Sequence, residues 1–434
     1  MYLAMAISFV LGFTAIIFEH KIKINKAASA LITAVVCWVL FVYGENTILN
    51  DSANSSFIEN SLMHHLGEIG GILFFLLGAM TIVELIDTHD GFSLITQKIS
   101  TTKKSTLLII LSVTTFLMSA ALDNLTTSII MAALLRKLIS DKEDLWIFAG
   151  MVIIAANAGG AWSPIGDVTT IMLWVGGQIS AFNIVLKLLL PSIICLVVPL
   201  SVLAYKMKGK VVMPSDEVPS HEKSIVVNPF EQKLVLTVGV AALLFVPIFK
   251  TFTHLPPFLG ILFGLGVLWT ITEFLHKGKE EDERQKLSIV RVLEKVDTPS
   301  ILFFLGILLA VAALQTAGHL NELATYLDVH IGNIWIINVL VGLFSSIIDN
   351  VPLVAGSIGM YDLTTYPQDH IFWELLAYCA GTGGSTLIIG SAAGVAIMGI
   401  LKIDFIWYLK KITPYALLGY LAGVLTFWLM NTLI

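Results

Sequence analysis

Charged residues are scarce in this chain: aspartate, glutamate, lysine and arginine together make up 13% of its 434 residues. Soluble domains carry roughly 25% charged residues, so a mainly water-exposed fold is excluded. Hydrophobic residues make up 56% of the chain. They recur in runs of about 17 to 25 residues, the length that an α-helix needs to cross a bilayer. The composition therefore predicts an all-α integral membrane protein surrounded by lipid.

Cysteine is equally rare, and the three cysteines lie scattered in apolar runs without a CxxC pair or metal-ligand spacing. They indicate neither a disulfide framework nor a metal centre, and no cofactor is expected. No basic stretch or small-residue cleavage site flanks the first apolar run, so we interpret it as a retained helix rather than a signal peptide. The modest net charge of −6 gives no reason to expect a nucleic-acid partner.

The lengths of the apolar runs predict about ten full membrane spans. Their boundaries lie near 2–18, 27–43, 68–86, 145–178, 183–205, 232–249, 257–276, 299–316, 371–400 and 412–432. Two further apolar segments, 106–138 and 332–363, are interrupted midway by an aspartate, and their second arms are too short to cross. We therefore interpret these two segments as re-entrant hairpins.

Lysine and arginine are absent between Val296 and Leu401 and cluster elsewhere in segments on one side of this scheme. Cytoplasmic loops carry an excess of both residues, so these segments are predicted to face the cytoplasm. These segments are 20–26, 87–105, 136–144, 206–231, 277–298 and 401–411. Together with the adjoining helix ends, they contain all 25 lysines and arginines except Lys187 and Lys250. The scheme predicts a protein of the inner (cytoplasmic) membrane with both termini on the outer, periplasmic side. The first hairpin would then enter from inside and the second from outside.

Four short motifs occur twice in the same order. The copies begin at Ile72 and Ile301, Asp123 and Asp349, Gly159 and Gly383, and Phe182 and Phe405, displaced by 223 to 229 residues. Combined with the charge distribution, this predicts an inverted-topology repeat, whose halves cross the membrane in opposite directions. The first half, 1–206, has hairpin 106–138 and broken helix 145–178. The second half, 232–434, has hairpin 332–363 and broken helix 371–400, and a solvated cytoplasmic linker, 207–231, joins the two.

Aspartates at membrane depth are the first functional candidates, because an ionisable group in hydrocarbon costs about 3 kcal/mol or more. Asp123 and Asn124 lie at the turn of the first hairpin, and Asp349 and Asn350 lie at the turn of the second. Capping of the second arm of each hairpin is the structural alternative, and it is compatible with ion binding. We predict that these four residues bind Na⁺.

Glycine and proline interrupt two of the predicted spans, which would expose backbone carbonyl oxygens inside the protein. The side-chain oxygens beside these breaks belong to Asn157, Ser163, Asp167, Thr169 and Thr170 in the first half, and to Thr382, Ser385, Thr386 and Ser391 in the second. Oxygen ligands of this kind suit Na⁺ or Li⁺, and no His or Cys cluster indicates a transition metal. Close packing of small residues between helices is the alternative role.

Carboxylates in such a site can take up protons as well as cations. Burial and a neighbouring like charge both favour the protonated form of a carboxylate, which moves protonation toward physiological pH. A site that holds either a cation or protons would exchange one for the other when its access alternates. No lysine or arginine is expected near the site, and its three carboxylates disfavour an anionic substrate.

A titratable cluster closes the third predicted span at the cytoplasmic face and consists of Glu84, Asp87, His89 and Asp90. The last three are interpreted as solvated or capping residues. Sensing of pH is the alternative, because histidine titrates near neutrality. For Glu84, the roles of proton relay and of structural partner are equally favoured.

Four segments together resemble the NhaD family of sodium/proton antiporters, within the ion transporter superfamily: Leu73–Phe92, Ala121–Thr127, Asn157–Thr170 and Asp349–Pro352. The resemblance covers both halves. It implies a homodimer in which a transport domain, carrying the hairpins and the broken helices, moves against a scaffold in an elevator-like motion. It also implies ion sites framed by the hairpin turns and an activity favoured at alkaline pH.

The sequence therefore predicts a transporter, not an enzyme, that exports Na⁺ or Li⁺ in exchange for H⁺ and serves pH homeostasis. A sodium-coupled carboxylate or oxyanion transporter of the same fold and a passive cation channel are alternatives. An intramembrane aspartyl protease would also need two membrane aspartates, but its Tyr-Asp and Gly-x-Gly-Asp motifs are absent around Asp123 and Asp349. The number of protons exchanged per ion stays open.

Overall fold

The computed structural model describes residues 1–48, 56–96, 101–212 and 228–433. In these ranges the regular structure is helical, apart from one isolated bridge between Lys103 and Lys210. Nine helices of the described residues are long and apolar enough to cross a membrane. A helix satisfies its own backbone hydrogen bonds, which lipid cannot do. The prediction of an all-α integral membrane protein is confirmed.

The described part of the first half forms ten helices. They are α1 (Tyr2–Ile17), α2 (Glu19–Ile22), α3 (Lys26–Ile48), α4 (Phe57–Thr88), α5 (Ser93–Thr96), α6 (Lys104–Leu122), α7 (Asn124–Leu138), α8 (Lys142–Ala161), α9 (Val168–Val175) and α10 (Ala181–Lys206). The longest is α4, whose 32 residues exceed the predicted span 68–86. At 1.5 Å per residue it is about 48 Å long, enough to extend beyond both sides of the hydrocarbon core.

The described part of the second half forms twelve helices. They are α11 (Pro229–Thr253), α12 (Pro257–His276), α13 (Glu281–Leu287), α14 (Ile289–Lys295), α15 (Thr298–Thr316), α16 (His319–His330), α17 (Ile334–Phe344), α18 (Asn350–Met360), α19 (Ile371–Gly383), α20 (Ala392–Leu401), α21 (Phe405–Lys411) and α22 (Thr413–Leu433). Helix α16 lies in a stretch predicted as an outer loop. The chain bends by 118° between α20 and α21.

Each predicted hairpin is divided at its aspartate. Segment 106–138 forms α6 and α7, which are separated by Asp123 alone, and segment 332–363 forms α17 and α18, which are separated by residues 345–349. Helix α6 is by itself long and apolar enough to cross a membrane. Re-entry of the two hairpins and the opposite orientation of the two halves stay predictions.

Both spans predicted to be broken are interrupted. Helices α8 and α9 flank the irregular stretch 162–167, and helices α19 and α20 flank 384–391. Asp167 and Ser391 have nearly the same extended backbone conformation, φ −147° and ψ 147° against φ −142° and ψ 153°. Each caps the helix that follows with its side chain. A side chain that accepts hydrogen bonds at this position satisfies free N–H groups of a helix that starts inside the protein.

Close backbone contact joins each broken helix to the neighbouring hairpin at an equivalent glycine. A Cβ atom on Gly159 would lie 2.2 Å from the carbonyl oxygen of Phe116, and one on Gly383 would lie 2.0 Å from that of Gly342. Both distances are too short for any residue other than glycine, since small residues are what let membrane helices approach so closely. The two hairpins are therefore held against the two broken helices in the same way.

Burial separates the central helices from the peripheral ones. The membrane window of α8 is 89% buried inside the protein, whereas those of α11 and α12 are only 22% and 28% buried. Exposed apolar side chains such as Phe252 and Phe263 are expected on a surface that faces lipid. The predicted linker 207–231 lies mostly outside the described residues, and the division into halves 1–206 and 232–434 stays a prediction.

Candidate ion-binding site

The first hairpin turn places a strained aspartate at the start of α7. Asp123 has φ +85° and ψ 159°, a conformation that residues other than glycine rarely adopt. Such strain costs of order 1–3 kcal/mol and is concentrated at functional sites. The half-buried carboxylate caps α7, because its Oδ1 accepts from the backbone N–H of Thr126 at 2.8 Å and its Oδ2 from the Thr126 hydroxyl at 2.9 Å. Asp123 therefore caps α7, and the groups of Thr126 that donate to its carboxylate are neutral.

The second hairpin turn has an ordinary backbone and a charged partner. Asp349 has φ −48°, and its Oδ1 accepts from the backbone N–H of Val351 at 3.4 Å. Its Oδ2 accepts from the ammonium group of Lys26 at 2.8 Å, and the carboxylate side chain is only 16% exposed. The expectation that no lysine lies near the site is therefore wrong. Lys26 begins α3, more than 300 residues away in sequence.

Asp167 connects the two turns. Its Oδ2 accepts from the side-chain amide of Asn124, and its Oδ1 accepts from that of Asn350 at 3.4 Å. The same Oδ1 accepts from the backbone N–H and the hydroxyl of Thr169, at 2.8 and 2.7 Å. Asp167 is 1% exposed, and donors surround both of its oxygens. Its hydrogen bonds hold the two asparagines in place, and ion binding by Asp167 itself stays a prediction.

Asn157 joins the two broken helices. Its side-chain oxygen accepts from Asn124 at 3.1 Å, and its amide group donates to the hydroxyls of Ser385 and Ser391, both at 2.9 Å. All of these side chains are at least 95% buried. A buried polar network of this kind, fully satisfied, specifies one arrangement of the elements that it connects. Polar residues of both halves thus meet in one cluster.

The two aspartates share a cavity, which we call the central cavity. It has a volume of about 50 Å³ and is lined by Asp123, Asn124, Asp349 and Lys26, with mostly apolar side chains around them. A cavity needs roughly 10–15 Å³ to admit one water, so there is room for a small ion with some of its water. Among the described residues, no three His, Cys, Asp or Glu side chains converge tightly enough for a resident metal.

Two wider cavities lie along the same helix, α4, toward its two ends. The one we call the wide cavity, about 370 Å³, is lined by Glu84 and Asp87, and the far cavity, about 240 Å³, is lined by His65 and Glu68. Lining residues common to the wide and central cavities are Lys26, Met80, Leu125, Ser300 and Ala392. The far cavity shares none with the central one. The central cavity therefore adjoins the wide cavity but not the far cavity. The wide cavity lies at the end of α4 that the charge distribution predicts to be cytoplasmic.

Some of the predicted side chains serve the backbone instead of the cluster. The hydroxyl of Ser163 donates to the carbonyl of Ala120, that of Thr170 to Asp167 and that of Thr382 to Tyr378 in its own helix. Ser163 ties the first broken helix to the first hairpin. Within the described part of the chain, the buried hydroxyl of Thr386 has no hydrogen-bond partner, and its role as a ligand stays a prediction.

The titratable cluster at the end of α4 divides into separate environments. Glu84 forms an ion pair with Lys295 at 3.3 Å and, like Asp87, lines the wide cavity. Asp90 is exposed and accepts from Gln232 at 3.3 Å.

Of the two roles predicted for His89, solvation is wrong, because its side chain is fully buried, whereas capping agrees with its position as the C-cap residue of α4. Its Nε2 lies 2.9 Å from Nε2 of His276, and the two rings are stacked. Its Nδ1 lies 2.7 Å from the carbonyl oxygen of Leu85. Helix α12, which sequence reasoning did not connect to this cluster, therefore contributes a residue to it.

Proteins named as sodium/proton antiporters match nearly the whole chain. "Na(+)/H(+) antiporter NhaD" of Vibrio cholerae is 30% identical over 98% of this chain and 90% of its own length. The chain belongs to the NhaD family of sodium/proton antiporters. "Sodium/proton antiporter 1" of Arabidopsis thaliana is 48% identical over 99% of this chain and 73% of its own length, and "Sodium/proton antiporter 2" is 46% identical over 98% of each. A broader family profile, described as "Citrate transporter", matches residues 13–373.

NhaD membership confirms that this chain is a transporter and not an enzyme, as the sequence predicts. The spans and the family together make it a multi-pass membrane protein. All four segments that carry the resemblance contribute residues to the lining of the central cavity. The family likeness and the geometry of the cluster therefore concern the same residues.

Proposed function

We propose that this chain exchanges Na⁺, or Li⁺, for protons across the membrane that holds it. The observation that carries the proposal is the central cavity, where the aspartates of both hairpin turns, Asp123 and Asp349, face one small space. Hard oxygen ligands of carboxylate and amide type suit such ions. The antiporter names of the Arabidopsis and Vibrio relatives support the same activity.

Competition between cation and proton supplies the coupling. When Asp123 and Asp349 are ionised they hold Na⁺ together with Asn124 and Asn350, and when they are protonated they lose their attraction for it. Asp167 keeps the two asparagines aimed at the site in both conditions, since it bonds to both. A site that carries either species, and is exposed to one side of the membrane at a time, exchanges one for the other.

Alternating access is proposed to run along α4, between the wide and far cavities. The two hairpins, with the broken helices α8–α9 and α19–α20, would move as one body in an elevator-like motion, because hydrogen bonds of Asn157 and Asp167 join them. The rest of the chain would act as the scaffold, in a homodimer. Placement in the inner membrane, with both termini outside, is supported by the distribution of lysine and arginine.

A sodium-coupled carboxylate transporter is the second candidate, favoured by the citrate transporter profile and by the presence of Lys26 in the cavity. An anion needs unpaired positive charge, but the Lys26 ammonium is already paired with Asp349. The three aspartates of the cluster outweigh this one positive charge. The electrostatics therefore favour a cation as the substrate.

The test uses purified, full-length protein in proteoliposomes with an imposed pH gradient. Addition of NaCl or LiCl is expected to collapse the gradient, whereas choline chloride is not. Uptake of radiolabelled citrate, driven by a sodium gradient, is measured in the same preparation. Citrate uptake without sodium-dependent proton movement would favour the second candidate, and conduction of Na⁺ without protons would indicate a channel.

A further inference from the structure

We infer that Lys26 is a specificity-determining residue: its ammonium group acts as an internal, tethered cation that occupies Asp349 and must leave before Asp349 can bind Na⁺. This inference rests on the proposed sodium/proton exchange. It assigns to the N-terminus of α3 a direct part in setting the affinity for the transported ion. The supporting observations are the contact itself, the surroundings of the ammonium group and its position between two cavities.

The ammonium nitrogen of Lys26 lies 2.8 Å from Oδ2 of Asp349. The same group lies 4.3 Å from the centre of the Phe303 ring, whose face attracts cations. Two further carboxylates, Glu19 and Asp297, face the ammonium and line the wide cavity beside it. Although three carboxylates surround Lys26, its hydrogen bond goes to the aspartate of the proposed ion site.

Helix α3 itself gives no reason for a lysine at this position. Lys26 is the first residue of the helix, where the positive end of the helix dipole disfavours a cation. Its side chain is three-quarters buried, which costs both hydration and rotamer freedom. The ion pair with Asp349, together with the Phe303 ring and the two further carboxylates, offsets these unfavourable terms.

The ammonium group also lies where an entering ion would pass. Lys26 lines both the wide cavity and the central cavity. A Na⁺ ion that approaches from the wide cavity, whose lining includes Glu84 and Asp87, therefore meets Lys26 before it reaches Asp349. Both cations carry one positive charge, so replacement of the ammonium by Na⁺ preserves the charge balance at this carboxylate.

The test compares Na⁺/H⁺ exchange by the wild type, Lys26→Met and Lys26→Arg in proteoliposomes at a fixed alkaline pH. Methionine keeps the apolar length of the side chain but removes its charge. Lys26→Met is expected to lower the half-saturating Na⁺ concentration about fivefold or more, because the internal competitor is gone. Lys26→Arg keeps the positive charge and is expected to leave the half-saturating concentration equal to or above that of the wild type.

Lys250→Met is the matched control. The Lys250 ammonium donates to the carbonyl oxygen of Trp174 at 2.7 Å, and it lines neither the central nor the wide cavity. Its loss is expected to leave the half-saturating Na⁺ concentration unchanged. If Lys26→Met shows an unchanged or raised value, or only a lower maximal rate, Lys26 is a structural residue and the inference is wrong. Absence of exchange in the wild type would instead contradict the proposed function.

A second measurement needs no variant and so does not depend on whether Lys26→Met folds. The wild-type protein in detergent is treated with an amine-reactive reagent in NaCl or in choline chloride, and labelling of each lysine is quantified by mass spectrometry. Na⁺ is expected to increase labelling of Lys26 several-fold, because the displaced ammonium then faces the wide cavity. Labelling of Lys250 is expected to be the same in both salts, and equal labelling of Lys26 would overturn the inference.

Discussion

The two hairpin turns carry the same dipeptide but have different partners. Asp123 has a strained backbone, and both of its oxygens accept from neutral groups of Thr126. Asp349 has an ordinary backbone and pairs with the ammonium of Lys26. The asparagines that follow are alike, since both donate to Asp167. A repeated motif thus gives two carboxylates in one site, one surrounded by neutral donors and the other paired with a positive charge.

This difference shows that sequence repetition does not give the two turns equivalent surroundings. In the described part of the chain, the Asp123 carboxylate forms no ion pair, whereas that of Asp349 is neutralised by the ammonium group of Lys26. In the proposed exchange, Asp123 is free to attract a cation or a proton directly. Asp349 does so only when Lys26 has moved away.

The largest effect is expected from Asp123→Asn and Asp349→Asn, each of which should reduce sodium-dependent collapse of the pH gradient to background. Asparagine caps a helix about as well as aspartate, so these variants keep a capping oxygen but lose the negative charge and one of the two acceptor oxygens. Either variant with normal transport would leave capping as the sole role of that residue. Loss in one variant and normal transport in the other would confine ion binding to a single turn.

A smaller loss is expected from Asp167→Asn, which removes the carboxylate that both turns share. The new amide group would face the amide groups of Asn124 and Asn350, so at least one charge-assisted hydrogen bond is lost. Such a bond contributes about 1.5–3 kcal/mol, which corresponds to a fall of roughly 10- to 100-fold in the initial exchange rate. The rate is measured at saturating Na⁺ in proteoliposomes.

Thr382→Val is the matched control for that prediction. Its hydroxyl lies in the broken helix α19 but donates to a carbonyl of its own helix, not to the cluster. The variant has nearly the same volume, and its rate is expected to stay within about twofold of the wild type. An equal loss in both variants would mean that packing of the broken helices, rather than the network around Asp167, controls transport.

The dependence on pH is the most gradual of the expected effects. Protons occupy the same carboxylates as Na⁺, so the half-saturating Na⁺ concentration should rise as the pH falls, by up to about tenfold per pH unit for each competing proton. Exchange rates measured over a series of Na⁺ concentrations at several pH values give this slope. A steeper slope than that of one proton would mean that both turns release a proton for each ion. A half-saturating concentration that falls in acid contradicts the competition.

Much of the architecture could be predicted from local sequence features. Long apolar runs predict membrane helices because lipid leaves the backbone no other partner, and Gly-Gly and Pro predict the breaks because they remove or weaken helical hydrogen bonds. Aspartates in predicted membrane segments indicate the site for a similar reason. A charged group in hydrocarbon is costly, so it is normally retained only where it has a function. Segments such as 162–167 and 384–391 are irregular where these features place the breaks.

The errors concern contacts between elements that are distant in sequence. Lys26 has the same local signal as any basic residue at a predicted cytoplasmic loop, and nothing near it in sequence indicates a partner at position 349. The position of His89 at the end of a span predicts solvation or capping, and nothing near it in sequence indicates that His276 of another helix lies against its ring. Neither pairing has a periodic or compositional signature, because packing alone produces it.

The sequence by itself determined three things: that this is a membrane protein, at which residues its helices break, and which oxygen-bearing residues are predicted at membrane depth. Each of these follows from the solvation of single groups. Only the tertiary structure decided which charges meet. It brought the two turns to one cavity, placed Asp167 between their asparagines and paired Lys26 with Asp349. Ion pairs and hydrogen bonds depend on distances of a few ångströms between atoms, and those distances exist only after the helices have packed.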